Sequence, residues 1–213
     1  MDIFITIFSV FSLLVLLFSV IIHELAHGSV AYSLGDPTAK YAGRLTLNPI
    51  KHLDIFGSIV LPLILFISGS PILVGWAKPV PVNPYNFKDQ KWGSLKVSIA
   101  GPLSNIALAL FFGLIIRFVP IDFFLTDPRL VVMHALVLRI VEINLILAVF
   151  NLIPVPPLDG SWILFSFLSH KFDKLKLFLQ QYGVLILILF IFLGGLQMLG
   201  QVVRFLYYLI SGS

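Results

Sequence analysis

Apolar residues run in long stretches along this chain: Ile3 to Leu34, Ile55 to Ser68, Leu95 to Val119, Leu130 to Ile153 and Tyr182 to Ile210. A straight helical crossing of a bilayer needs roughly twenty such residues. All but one of the stretches reach that length. The exception, 55–68, holds Pro62 and is flanked by Gly57 and Gly69, which predicts a re-entrant or interfacial segment. Between the first and third stretches, 35–93 contains GDPTAKYAGRLTLNP and GWAKPVPVNPYNF. Their prolines, glycines, asparagines and β-branched residues predict short extended strands and turns. The expected fold is an all-α polytopic membrane protein with about four full transmembrane helices (3–34, 95–119, one within 130–170, and 182–210). To these it adds the segment 55–68 and a small β-rich membrane-associated insertion.

Composition supports lipid as the solvent. The 213 residues are 59% hydrophobic and 11% charged, with a mean hydropathy of +1.03, whereas soluble domains carry roughly 25% charged residues. A net charge of +4 is too small and dispersed for a nucleic-acid footprint. There is no cysteine, so any metal must be held by His, Asp, Glu or other nitrogen or oxygen ligands. The first stretch has no basic residue at its start and contains His23, Glu24 and His27, so it reads as a retained helix, not a cleaved signal. If 55–68 does not cross, Lys40, Arg44, Lys51, Lys78, Lys88, Lys91 and Lys96 share a side with Lys171, Lys174 and Lys176. The positive-inside rule makes that side cytoplasmic and puts the N-terminus outside.

The chemistry begins with His23-Glu24-Leu25-Ala26-His27 near the inner end of the first helix. Four residues advance a helix by about 400°, so both imidazoles lie on one face and can grip one ion. A neighbouring carboxylate that does not ligate can take a proton from water. Ionisable groups in a bilayer cost roughly 2.5–3.5 kcal/mol each on insertion scales, and a cation would compensate for them. A catalytic zinc site usually has three protein ligands. The best third candidate is Asp159 in NLIPVPPLDG (Asn151–Gly160), where prolines break the helix; a plain Asp-Gly turn is the alternative. Late in the first helix and just past the fourth long stretch, these groups meet only if the two helices run parallel. The same crossing pattern follows from the basic residues.

HELAHG at His23–Gly28, GDPTAK, GRLTLNP leading to His52, GWAKPVPVNP at Gly75–Pro84, AGPLSN at Ala100–Asn105 and NLIPVPPLDG occur in order. Together they resemble the site-2 protease family of intramembrane zinc metalloproteases, and specifically its short prokaryotic branch. That resemblance implies one Zn²⁺ on His23, His27 and Asp159, with Glu24 as the catalytic base. It also implies a transmembrane protein substrate cleaved in or next to its membrane segment, a prokaryotic cell membrane, and an active site near the cytoplasmic face. The chain has room for neither a PDZ nor a CBS domain.

Asn151 either donates to a developing oxyanion or substrate backbone, or pins the proline turn. His52 either approaches metal or substrate, with Asp54 orienting it, or only bonds its loop. Asn105 reads as a helix-joining amide. Extended segments Arg44–Pro49 and Trp76–Asn83 either pair with an unwound substrate or form a closed sheet. A divalent-metal transporter is the main rival and predicts polar residues along both halves of a path, with repeated half-sites. Neither appears in the sequence. A catalytically silent relative should have lost one of the four key residues, and all are present.

Overall fold

A computed structural model describes residues 3–60, 63, 64, 67, 68 and 77–212. Helix α1 (Ile3–Ser33) is followed by the single turn α2 (Thr38–Tyr41), a 3-10 turn at Pro49–His52 and a π-helical turn at Ile55–Val60. A 3-10 turn at Pro84–Asn86 precedes α3 (Gly93–Phe118), α4 (Ile121–Leu125) and α5 (Pro128–Asn151). The chain ends with α6 (Asp159–Phe167), α7 (Asp173–Phe192) and α8 (Gly195–Ser211). Among the described residues, 4 helical segments are long and apolar enough to cross a membrane: Ile5–Ser33, Gly93–Phe118, Pro128–Asn151 and His170–Phe192. The described residues are all-helical in their regular structure, and the long apolar helices make this a multi-pass integral membrane protein. Of the expected short segment, 55–60 forms the π-helical turn, and Pro62 and Gly69 lie outside the described residues.

Helix α3 is the centre of the bundle, packing against α1, α5, α6 and α8. Its buried positions Gly93, Val97, Gly101, Asn105, Ala109 and Gly113 recur every fourth residue, which keeps them on one stripe. Small residues on such a stripe let helix backbones approach closely in lipid. Beyond the stripe's polar centre lies a dry cluster of Ala109, Val141, Leu145, Val203 and Ile210. Helix α5 starts where Asp127 caps it by accepting from the Arg129 amide, with Pro128 at the first helical position. Arg139 pairs with Glu142 at 2.6 Å and also donates to Ser12 of α1 at 3.1 Å, so the pair ties α5 to α1.

Two expectations are corrected. Among the described residues there is no β-strand, so the β-rich insertion is not formed. The reason lies in where the amides of 77–83 go. Pro79 and Pro81 have no N–H to give. Lys78 donates to the His52 carbonyl at 2.9 Å, Val80 to the Glu24 carboxylate at 2.7 Å and Asn83 to the Asp36 carboxylate at 2.7 Å. Too few donors are left for a ladder, and the segment becomes a strap across the end of α1. Gly75 and Trp76, at the start of the expected strand, lie outside the described residues. Arg44–Pro49 is likewise not a strand and runs into the 3-10 turn at Pro49–His52.

The expected helix 182–210 is two helices. The chain turns at Gly194, whose φ of 90° is a conformation that glycine adopts without a Cβ penalty. Helix α7 begins earlier than expected, at Asp173. Only Gly183 and Leu187 of α7 are buried, and Gly183 rests against the Pro156 carbonyl. Helix α8 instead turns Val203, Leu206, Tyr207 and Ile210 into the α3–α5 cluster.

Candidate metal centre and active site

His23 and His27 sit one turn apart on α1, 6% and 8% exposed. Asp159 arrives from the first turn of α6, directly after the turn formed by Pro154, Pro156 and Pro157. That turn is tight. A Cβ on Gly160 would overlap the carbonyls of Leu152 and Ile153, so the aspartate must be followed by glycine for α6 to start here. The Asp159 Oδ2 atom lies 3.0 Å from His23 Nε2 and 3.2 Å from His27 Nε2, and the two Nε2 atoms are 3.0 Å apart.

The protonation pattern of these rings follows from what holds their other nitrogens. His27 Nδ1–H donates to the Val97 carbonyl at 2.7 Å, and a carbonyl can only accept. His23 Nδ1–H donates to Asn105 Oδ1 at 2.6 Å. Whenever the rings are neutral their protons therefore sit on Nδ1, and two Nε2 lone pairs and a carboxylate oxygen face one point. Such a set calls for a cation. Ligands held about 2.0–2.2 Å from a tetrahedral ion stand roughly 3.3–3.6 Å apart, within about half an ångström of the separations above. The residues therefore fit a divalent metal of the zinc type. Gly101 belongs to the same construction. A Cβ there would overlap Nε2 of both histidines, so α3 can lie against the centre only with a glycine at this position.

Glu24 lines a cavity of about 350 Å³ together with His23, His27, Asp159, Asn151 and Val80. Its Oε2 accepts the Val80 amide. The strap bearing Val80 is anchored by Asp36, which is fully buried and accepts from the backbone and hydroxyl of Thr38, from the Asn83 amide and from Asn86 Nδ2. Burial alone would raise the Asp36 pKa, but the donors outweigh it and hold the carboxyl below its ordinary value.

Asn151 lines the cavity, and its Nδ2 donates to the Leu147 carbonyl at 3.0 Å. His52 is not brought to the cavity. It is 1% exposed, and its Nε2 donates to the Thr46 carbonyl at 2.8 Å, bracing the loop. Asp54 accepts from the Gly57 amide at 2.7 Å. Asn105 does join helices, as expected, but sequence reasoning missed its contact with His23 and missed Asn144 behind it. The available signal was an uncharged amide in the middle of each of two apolar spans, where a polar side chain needs a partner.

Residues 126–193 match the family described as Peptidase family M50. Over 192 residues the chain is 40% identical to "Putative zinc metalloprotease YwhC" of Bacillus subtilis, covering 83% of this chain and 78% of that protein. The chain belongs to peptidase family M50. This bears out its resemblance to the site-2 proteases. Proteins named "Putative zinc metalloprotease Rip2" are 28% identical over 182 residues in Mycolicibacterium smegmatis and 31% identical over 176 residues in Mycobacterium tuberculosis. These alignments cover 85% and 82% of this chain but 66% and 64% of the two relatives. No solved structure matches the chain. Within this M50 chain, the family match contains Asp159 and the proline turn, whereas His23, Glu24 and His27 precede it and join it through the geometry above.

Proposed function

We propose that this protein is an intramembrane zinc metalloprotease. It hydrolyses peptide bonds in or next to transmembrane segments of other membrane proteins. The observation that carries the reading is the convergence of two imidazole nitrogens and one carboxylate beside Glu24, in a cavity lined by α1, α3, α6 and the strap 77–83. His23, His27 and Asp159 would hold the ion. When bound, Zn²⁺ supplies Lewis acidity that polarises a carbonyl and acidifies water.

The chain's own groups do the rest. The Val80 amide fixes one oxygen of Glu24, and the other oxygen takes the proton of the attacking water and passes it to the leaving amide nitrogen. Asn151, held through one N–H by Leu147, offers the other to the scissile carbonyl. One turn of intact helix keeps its amide groups in internal hydrogen bonds and its backbone behind side chains, out of reach of the attacking water and of Asn151. The substrate therefore enters unwound. Its natural setting is a prokaryotic cell membrane, with the N-terminus outside and the site opening to the basic, cytoplasmic side.

The test compares wild type with Glu24→Gln and His23→Ala on a panel of single-pass substrates in liposomes, alongside zinc content per chain. Glu24→Gln should keep its zinc and lose at least about 100-fold in cleavage rate, in line with loss of a general base. His23→Ala should lose both zinc and cleavage. Equal cleavage by wild type and Glu24→Gln would reject the assignment.

A further inference from the structure

Behind the candidate metal centre, three fully or almost fully buried polar groups form a chain leading away from it. Asn105 and Asn144 are 0% exposed and Ser19 is 3% exposed. Asn144 sits on α5 and donates its Nδ2 to the Ile140 carbonyl of its own helix at 2.9 Å. That bond leaves Asn144 Oδ1 as an acceptor, and it receives Asn105 Nδ2 at 2.9 Å. The same Asn105 nitrogen lies 3.2 Å from the Ser19 carbonyl of α1. Asn105 thus has both donor directions taken by oxygen atoms, and only its Oδ1 can face His23 Nδ1, at 2.6 Å.

If the Asn105 amide were flipped, its oxygen would oppose the Ser19 and Asn144 oxygens, two hydrogen bonds would be lost, and an N–H would face His23. His23 would then have to present a lone pair at Nδ1 and carry its proton on Nε2. A ring in that form has no lone pair to give the shared ion position. Asn105 is therefore held in one orientation from behind, by a residue that touches neither the ion position nor the cavity.

We propose that Asn144 is a positioning residue: through the Asn105 amide it fixes the Nδ1-protonated tautomer of His23 and so keeps Nε2 ready to ligate. This rests on reading His23 as a ligand, but the tautomer can be measured without metal, so the two claims fail separately. In metal-free protein labelled with ¹⁵N-histidine and reconstituted in nanodiscs, His23, assigned by its loss in His23→Gln, should show a protonated Nδ1.

Asn144→Leu removes the acceptor and should give a mixed His23 tautomer and a 10- to 100-fold loss of zinc affinity by chelator competition, the usual range for a lost outer partner. Adding Asn105→Asp supplies a carboxylate whose two oxygens are equivalent, so that no flip can matter. The double variant should regain most of the lost affinity, which a merely structural role would not produce. An unprotonated Nδ1 on His23 in the metal-free wild type would overturn the proposal without any variant. So would a folded Asn144→Leu protein with wild-type zinc affinity and wild-type His23 resonances.

Discussion

At Gly101, one missing methyl group allows a metal-type centre to form against a helix. Alanine is intrinsically better than glycine in a helix interior by roughly 1 kcal/mol, so helix propensity alone would make Gly101→Ala stabilising. Its Cβ, however, would overlap Nε2 of both His23 and His27. Gly101→Ala is expected to keep its helical circular dichroism while zinc affinity falls at least about tenfold, the scale seen when ligand orientation is disturbed. Zinc titration of the purified variant checks it, and unchanged affinity would show that α3 can move aside. Residues whose chemistry is local were legible in the sequence. His23 and His27 declare themselves by i, i+4 spacing, and Asp159 by a turn rich in proline. The partners of Nδ1 were not legible, because the contacts of Val97 and Asn105 with α1 depend on how two helices are set against each other. No single-chain pattern records that setting.

Two elements departed from expectation, and in each the cause is backbone chemistry that hydropathy does not register. The strap 77–83 has the extended, β-branched look of a strand, yet Pro79 and Pro81 have no N–H and the amides of Lys78, Val80 and Asn83 are directed to His52, Glu24 and Asp36. The run 182–210 stays apolar across Leu193 and Leu196, so only the Gly194-Gly195 pair marked the turn between α7 and α8.

The anchoring of the strap gives a pH prediction. The folded pKa of Asp36 lies below its ordinary value, so its contribution to stability is complete above the unfolded value of about 3.9. It is lost as pH falls from there through the folded pKa. At pH 7 Asp36→Asn should unfold more easily than wild type by about 1.5–3 kcal/mol, the range for hydrogen bonds to a charged group. That gap should narrow below about pH 4. Asp89 is also held low, by Lys96, but it remains in the variant and cancels in the comparison. Denaturation series at pH 7 and pH 3 decide it. A gap independent of pH would mean that the carboxylate charge does not anchor the strap.

For the whole molecule, the arrangement of crossings can be tested directly because the chain contains no cysteine. Single replacements Lys91→Cys, Thr126→Cys and Lys171→Cys therefore introduce the only thiol. With α3 and α5 both crossing, positions 91 and 171 should react with an impermeant maleimide from the cytoplasmic side and position 126 from the opposite side. Labelling of 91 and 171 from different sides would contradict the four-crossing reading. The candidate site also binds distant parts of the chain into one unit, since Asp159 lies 136 positions beyond His23. At synthesis rates of roughly 5–20 residues per second, about 7–27 s separate the emergence of these two residues from the ribosome. Throughout that interval the nascent chain carries its first two histidines without Asp159, so under the proposed ligand set a half-translated copy has no complete ion site.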